Sequence, residues 1–145
     1  GVPSPASEPL VIEPEGVRAF VEIGSSREQL VEWPYIRLQR PIEEQVLREG
    51  NAPRGIVIAN GYRDRDPDER ADELSEPLRI ACENYRFGLL TARDVFEMVR
   101  RALGGADEAA LLGLRRRLLA GRGRLALARL FGEAGEETPD AGPIF

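Results

Sequence analysis

Lysine and histidine are absent from the 145 residues, so all 20 basic side chains are arginine. Without an imidazole there is no histidine general base or histidine metal ligand. Without a lysine there is no Schiff base and no ammonium to activate a nucleophile. The single cysteine, Cys82, excludes an intrachain disulfide and any multi-cysteine zinc site. Carboxylates, hydroxyls, one thiol and guanidiniums remain, so an enzyme built from this chain would depend on carboxylate-held metal ions. A GC-rich codon pool accounts for the arginine bias without any functional cause. No apolar run reaches the length of a membrane span, and no signal peptide is visible. The expectation is a cytoplasmic protein with no membrane association. The Gly-Val-Pro start, without Met, reads as a fragment or a cleaved tag.

Apolar residues make up 42% of the chain and charged residues 31%, enough for one domain with a core. Residues 1–8 read as a flexible lead-in, 9–132 as a single α/β domain with 107–131 as a helical extension, and 133–145 as an acidic Pro/Gly tail. The net charge of −5 is unevenly spread. Residues 98–132 hold 8 Arg against 2 acids, a basic block within an acidic protein. Such a block is either a surface for anionic ligands or the solvated face of helices.

Leu10-Val11-Ile12, the turn signal Pro14-Glu15-Gly16 and the period-two run from Val17 to Ile23 predict an antiparallel hairpin. Gly24-Ser25-Ser26 then reads as a polar stretch. Tyr35, Leu38, Ile42 and Val46 fall on one helical stripe, with Pro41 expected to kink or restart the helix. Ile56 to Ala59 suits a strand buried on both faces. Asn60 to Pro77 reads as a charged connection, Leu78 to Tyr85 as a helix and Phe87 to Leu90 as another buried strand. Thr91-Ala92-Arg93-Asp94 is a capping box opening a helix to Leu103. Residues 107–120 and 124–131 read as two more helices. The fold expected is a mixed sheet, an N-terminal hairpin followed by β-α-β-α-β, with two to three extra C-terminal helices and right-handed crossovers.

On the second strand, Glu22 and position 24 are two apart and share a face. A metal-dependent nuclease needs such a pair, a carboxylate for Mg²⁺ and a lysine beside it. Val21-Glu22-Ile23-Gly24-Ser25-Ser26 sits where the restriction-endonuclease-like PD-(D/E)XK superfamily carries its Glu-x-Lys strand end. Gly55-Ile56-Val57-Ile58-Ala59-Asn60-Gly61-Tyr62-Arg63, Pro67-Asp68-Glu69-Arg70 and Leu89-Leu90-Thr91-Ala92-Arg93-Asp94-Val95-Phe96 resemble the strand–loop–helix–strand–helix portion of its bacterial members. The resemblance spans roughly residues 8–120 and implies a restriction-endonuclease-like core with Glu22 as metal-binding carboxylate. Its departures matter more. The lysine position is Gly24, and the strand that should bring an Asp reads Glu8-Pro9-Leu10. Glu8 or Glu13 would have to replace that Asp. The family core also has an N-terminal helix and strand that this chain lacks, leaving an edge that is cut away or covered by a partner.

Three readings follow. The first is an inactive nuclease-like domain serving as a protein-interaction, assembly or regulatory module of a larger bacterial protein, without a cofactor, and with a protein partner or itself. The second is a Mg²⁺- or Mn²⁺-dependent nuclease built on Glu22 with Glu8 or Glu13, Arg27 clamping phosphate. The third is a nucleic-acid-binding domain using Arg115, Arg116 and Arg117 with Arg122, Arg124 and Arg129. Separately, Asn60, Arg63 and Arg70 either form a polar pocket at the strand ends or tie a long loop down. Trp33 and Tyr35 read as core anchors or a contact hot spot, and Cys82 as a core residue.

Overall fold

The computed structural model describes residues 9–29, 33–70 and 72–132; the lead-in 1–8 and the tail 133–145 lie outside them. Strand β1 (Leu10–Ile12) returns through a single 3-10 turn, Pro14–Gly16, into β2 (Ala19–Ser25). Glu15 and Gly16 both take positive φ, 54° and 79°, which lets the chain reverse in so few residues. The register pairs Leu10 with Val21 and Ile12 with Ala19. Gly24 and Ser25, read as a polar connection, belong to β2 and pair with Ala59 and Asn60.

Helix α1 (Trp33–Glu49) runs unbroken with Pro41 inside it. Proline has no N–H to donate to the carbonyl four residues back. The expected restart does not occur. Leu38 is fully buried, with Tyr35 and Ile42 packed beside it. The stripe then turns: Val46 is exposed and Gln45 is buried, because Gln45 Oε1 accepts from Arg18 Nη1 (3.0 Å) at the hairpin base.

Strand β3 (Arg54–Asn60) includes Asn60, and helix α2 (Glu76–Tyr85) starts two residues earlier than the apolar pattern suggests. Ser75 caps it through its hydroxyl, and Pro77 sits in the first turn, where its missing N–H costs nothing. Between them lies a short 3-10 turn, Pro67–Glu69. Strand β4 (Gly88–Thr91) passes directly into helix α3 (Ala92–Leu103). The capping box is formed: Thr91 Oγ1 accepts from Asp94 N (3.1 Å) and Asp94 Oδ2 accepts from Thr91 N (2.9 Å). Helix α4 (Glu108–Ala120) follows Asp107, whose carboxylate caps it.

The expectation for residues 124–131 requires correction. Gly123–Arg124 is a fifth strand, β5, and the helix after it, α5, spans only Leu127–Leu130. Backbone bonds from Gly123 N to Phe87 O (2.7 Å) and Leu125 N to Leu89 O (3.0 Å) dock it on β4.

The sheet order is β1-β2-β3-β4-β5, antiparallel at the hairpin and parallel from β2 onward. Alternate residues feed two cores. Phe20, Val57, Ala59 and Leu89 pack under α1 and α2 with Leu38, Leu78 and Cys82. Ala19, Val21, Ile56 and Leu90 pack against Leu114 and Leu119 of α4, Leu130 of α5, and Val95 and Met98 of α3. Each fully buried leucine contributes about 1.5–3 kcal/mol. The strand order advances in one direction while the helices change face after β4. The β4–β5 crossover therefore has the opposite hand to the two before it, so the three cannot all follow the right-handed rule.

Candidate functional site

Glu22 projects from β2 into the layer under α1, and only 4% of it is exposed. A carboxylate taken from water needs a compensating charge. Arg37 of α1 supplies it, Nη1 to Oε1 at 3.3 Å, with the Arg37 head reaching the surface. Burial pushes the Glu22 carboxyl above its ordinary range, and the Arg37 bond pulls it partly back.

The proposed co-ligands are not gathered there. Continuing the hairpin register by one residue sets Pro9, which has no ionisable group, opposite Glu22. Glu13 lies at the other end of the hairpin, about 13 Å from Glu22 along the strand. Its Oε1 accepts from Arg18 Nε at 2.6 Å. Glu8 lies outside the described residues. Arg27 pairs with Asp64 on the surface, 3.1 Å. Gly24 brings no side chain. Among the described residues, no group of three or more His, Cys, Asp or Glu is placed to hold a metal ion. The described residues do not fit the divalent ion that the nuclease resemblance implies, because one carboxylate already neutralised by a guanidinium offers little to it.

The second constellation is at the carboxyl ends of β3 and β4. Here α2 leaves toward one face of the sheet and α3 toward the other, the place where open α/β sheets form a crevice. The connection after β3 folds back onto that crevice. A side chain at Gly61 would meet the Glu73 carbonyl oxygen at 2.8 Å, so only glycine permits this approach. Tyr62 takes φ 49° to make the turn, and the Arg65 guanidinium lies 5.4 Å from its ring centroid.

Arg70 lies inside this fold. Its Nη1 donates to Asn60 Oδ1 (3.0 Å) and Glu73 Oε1 (2.8 Å), and its Nε donates to the Arg65 carbonyl (3.1 Å). Both charged side chains are about nine-tenths buried, while Glu73 Oε2 has no hydrogen-bond partner. Asn60 and Arg70 are thus brought together, but as loop anchors. Arg63 is not: its side chain is exposed, and its backbone N–H donates to Ser26 O. Sequence reasoning missed Glu73 and Arg37. Glu73 is three residues from Arg70, a spacing that could have pointed to it. Arg37 had only an indirect signal, the need of an acid in a buried strand for a cation.

The arginine triplet does not form a patch. Arg116 reaches Glu15 across the hairpin turn (3.7 Å), Arg117 Nη1 donates to Leu130 O (3.0 Å), and Arg115 is exposed. Successive residues on a helix diverge by about 100°, which sends the three heads apart. Arg122 meets Glu83 at 3.3 Å and Arg124 meets the buried Asp94 at 2.7 Å. Arg129 is exposed. Tyr35 stacks on Tyr85, ring centroids 5.3 Å apart, and so packs within the fold. The Trp33 side chain lies outside what is described. Cys82 is fully buried. A shallow depression beside α2, lined by Arg79, Glu83 and Arg124 among others, holds charges already matched, Arg79 with Asp72 and Arg124 with Asp94. None of the helices among the described residues is long and apolar enough to cross a membrane.

No protein-family model, curated protein or solved structure matches the chain.

Proposed function

We propose that this chain is a restriction-endonuclease-like domain that has lost its nuclease centre and serves as a protein-interaction, assembly or regulatory module. The supporting observation is the state of Glu22. In a working centre that carboxylate would face a cleft, with a lysine two residues on and a second acid from the neighbouring strand. Here it is enclosed beneath α1 and taken by Arg37. Gly24 stands in the lysine position, Pro9 stands opposite, and the chain has no lysine to substitute. An arginine cannot replace it as a proton acceptor, since guanidinium stays protonated. Glu22 then ties α1 to the sheet through its bond to Arg37.

The test is incubation with single- and double-stranded DNA and RNA in Mg²⁺ and in Mn²⁺, comparing the native chain with Glu22→Gln. No cleavage above background is expected from either. Metal-dependent cleavage that Glu22→Gln abolishes would overturn the reading. Binding without cleavage that falls steeply with salt and weakens in Arg115→Ala/Arg116→Ala would transfer the function to nucleic acid.

A further inference from the structure

Helix α3 carries an apolar stripe that covers nothing among the described residues. Phe96, Val99 and Leu103 follow one another at spacings of three and four, and are 71%, 51% and 85% exposed. At 100° per residue they form one line along the helix. Val95 and Met98 are the side chains that α3 sends into the core. On one flank, Asp94 reaches Arg124 of β5 and the Arg101 guanidinium sits 4.4 Å from the Phe131 ring centroid beside α5. The stripe occupies the opposite flank, the side of β2 and β1.

Among the described residues, the sheet on that side is also uncovered. Leu10 and Ile23 are 59% and 57% exposed. Leu10 pairs with Val21, so Leu10 and Ile23 are diagonal neighbours on the face that farther along packs under α4. The five side chains expose on the order of 500 Å², the size of the largest apolar patch on a typical monomer and a large part of the roughly 800 Å² each partner buries in a stable dimer.

We infer that this face joins two copies of the chain, α3 against α3 about a two-fold axis near Val99. The stripe suits itself. With Val99 on the axis, Phe96 of one copy, three residues before it, meets Leu103 of the other, four residues after it, and the flanking Arg100 is paired with Glu97 at 3.0 Å. A homodimer interface is isologous and more apolar at its centre than the rest of a surface, which is the character of this stripe. The inference rests on the reading of the chain as an assembly module and supplies its partner.

The whole chain is examined by sedimentation and light scattering from about 1 to about 100 µM in about 0.15 M salt, which screens the −5 of each copy. A concentration-dependent dimer is expected. Phe96→Glu with Leu103→Glu should weaken it at least about 30-fold, as loss of a central apolar anchor does. Both side chains are largely in solvent, so the circular dichroism of that variant should match the native spectrum. Val99→Cys should cross-link copy to copy on oxidation, whereas Leu47→Cys, 86% exposed on α1, should not. The buried Cys82 stays silent in both. A native chain that stays monomeric at the highest concentration would overturn the inference. So would a dimer indifferent to Phe96→Glu/Leu103→Glu, equal cross-linking through Leu47→Cys, or a monomer that binds a different protein through this stripe. Cleavage dependent on Glu22 would sink the non-enzymatic reading and leave the oligomer measurements standing, so the two failures are distinguishable.

Discussion

Arg70→Met is the sharpest perturbation of the strand-end cluster. Methionine keeps the length and most of the volume of the arginine stem, so the change removes charge and donors more than packing. Three hydrogen bonds go at once, to Asn60 Oδ1, Glu73 Oε1 and the Arg65 carbonyl. Glu73, only 8% exposed and with Oε2 already unbonded, is left as a buried carboxylate without a cation. Removing one partner of a buried pair costs about 3–5 kcal/mol. Against a total stability of about 5–15 kcal/mol that is a large share, and at this chain length it lowers Tm by about 6–20 °C. Arg70→Met with Glu73→Leu removes the stranded charge as well. It should return to within about 1–3 kcal/mol of the native chain, the remainder being the donor lost to Asn60. Arg63→Ala, at the exposed position, should stay within about 0.5 kcal/mol. Urea denaturation of the four proteins at neutral pH reads all three differences. A cost under about 1 kcal/mol for Arg70→Met, the value of a surface pair, would refute the buried geometry of this cluster.

The remaining predictions concern Glu22, Gly55 and Cys82. Burial raises the Glu22 carboxyl above its ordinary 4.5 in the folded chain. Its contribution is therefore fully present below that pH and is lost as pH rises through the raised folded value. The native chain should lose stability relative to Glu22→Gln over that interval in denaturation curves taken between about pH 3 and 8, and a flat difference would contradict the burial. At Gly55 an added Cβ would lie 2.5 Å from Phe87 Cδ1, in a ring that stacks on Tyr85. Gly55→Ala should cost about 1–3 kcal/mol by thermal melting, with relief in a Phe87→Leu background. The Cys82 thiol, pushed up to about 12 by burial, should react with a thiol reagent only as fast as the chain unfolds, and rapid labelling of native protein would refute its enclosure.

Much of the architecture was legible because its signals are local. The Thr91–Asp94 box depends on three residues of separation and forms as read. The hairpin follows from an alternating run and a Pro-Glu-Gly turn, and β3 and β4 from apolar stretches bounded by glycine. Where the reading failed, the deciding contact lay far along the chain. Two residues have no periodicity, so Gly123–Arg124 becomes a strand only because β4 offers its backbone bonds. Pro41 signals a break, yet the helix continues, with Leu38 and Ile42 on either side of it packed into the core. Val46 fits the stripe by spacing, but the Arg18 bond draws Gln45 inward instead.

The candidate site divides in the same way. Composition by itself excluded lysine and histidine chemistry, since that conclusion depends only on which groups exist, while Glu22 was singled out by its strand position and the family resemblance. Only the tertiary structure decided that Glu22 faces Arg37, fifteen residues on, while Glu13 pairs with Arg18 at the far end of the hairpin. It also decided that Asn60 and Arg70 meet while Arg63 points to solvent, and that the apolar line on α3 is exposed. The reason is common to all of these. Charge compensation and burial are properties of neighbours in space, and a chain whose helices change face after β4 sets those neighbours by topology rather than by spacing.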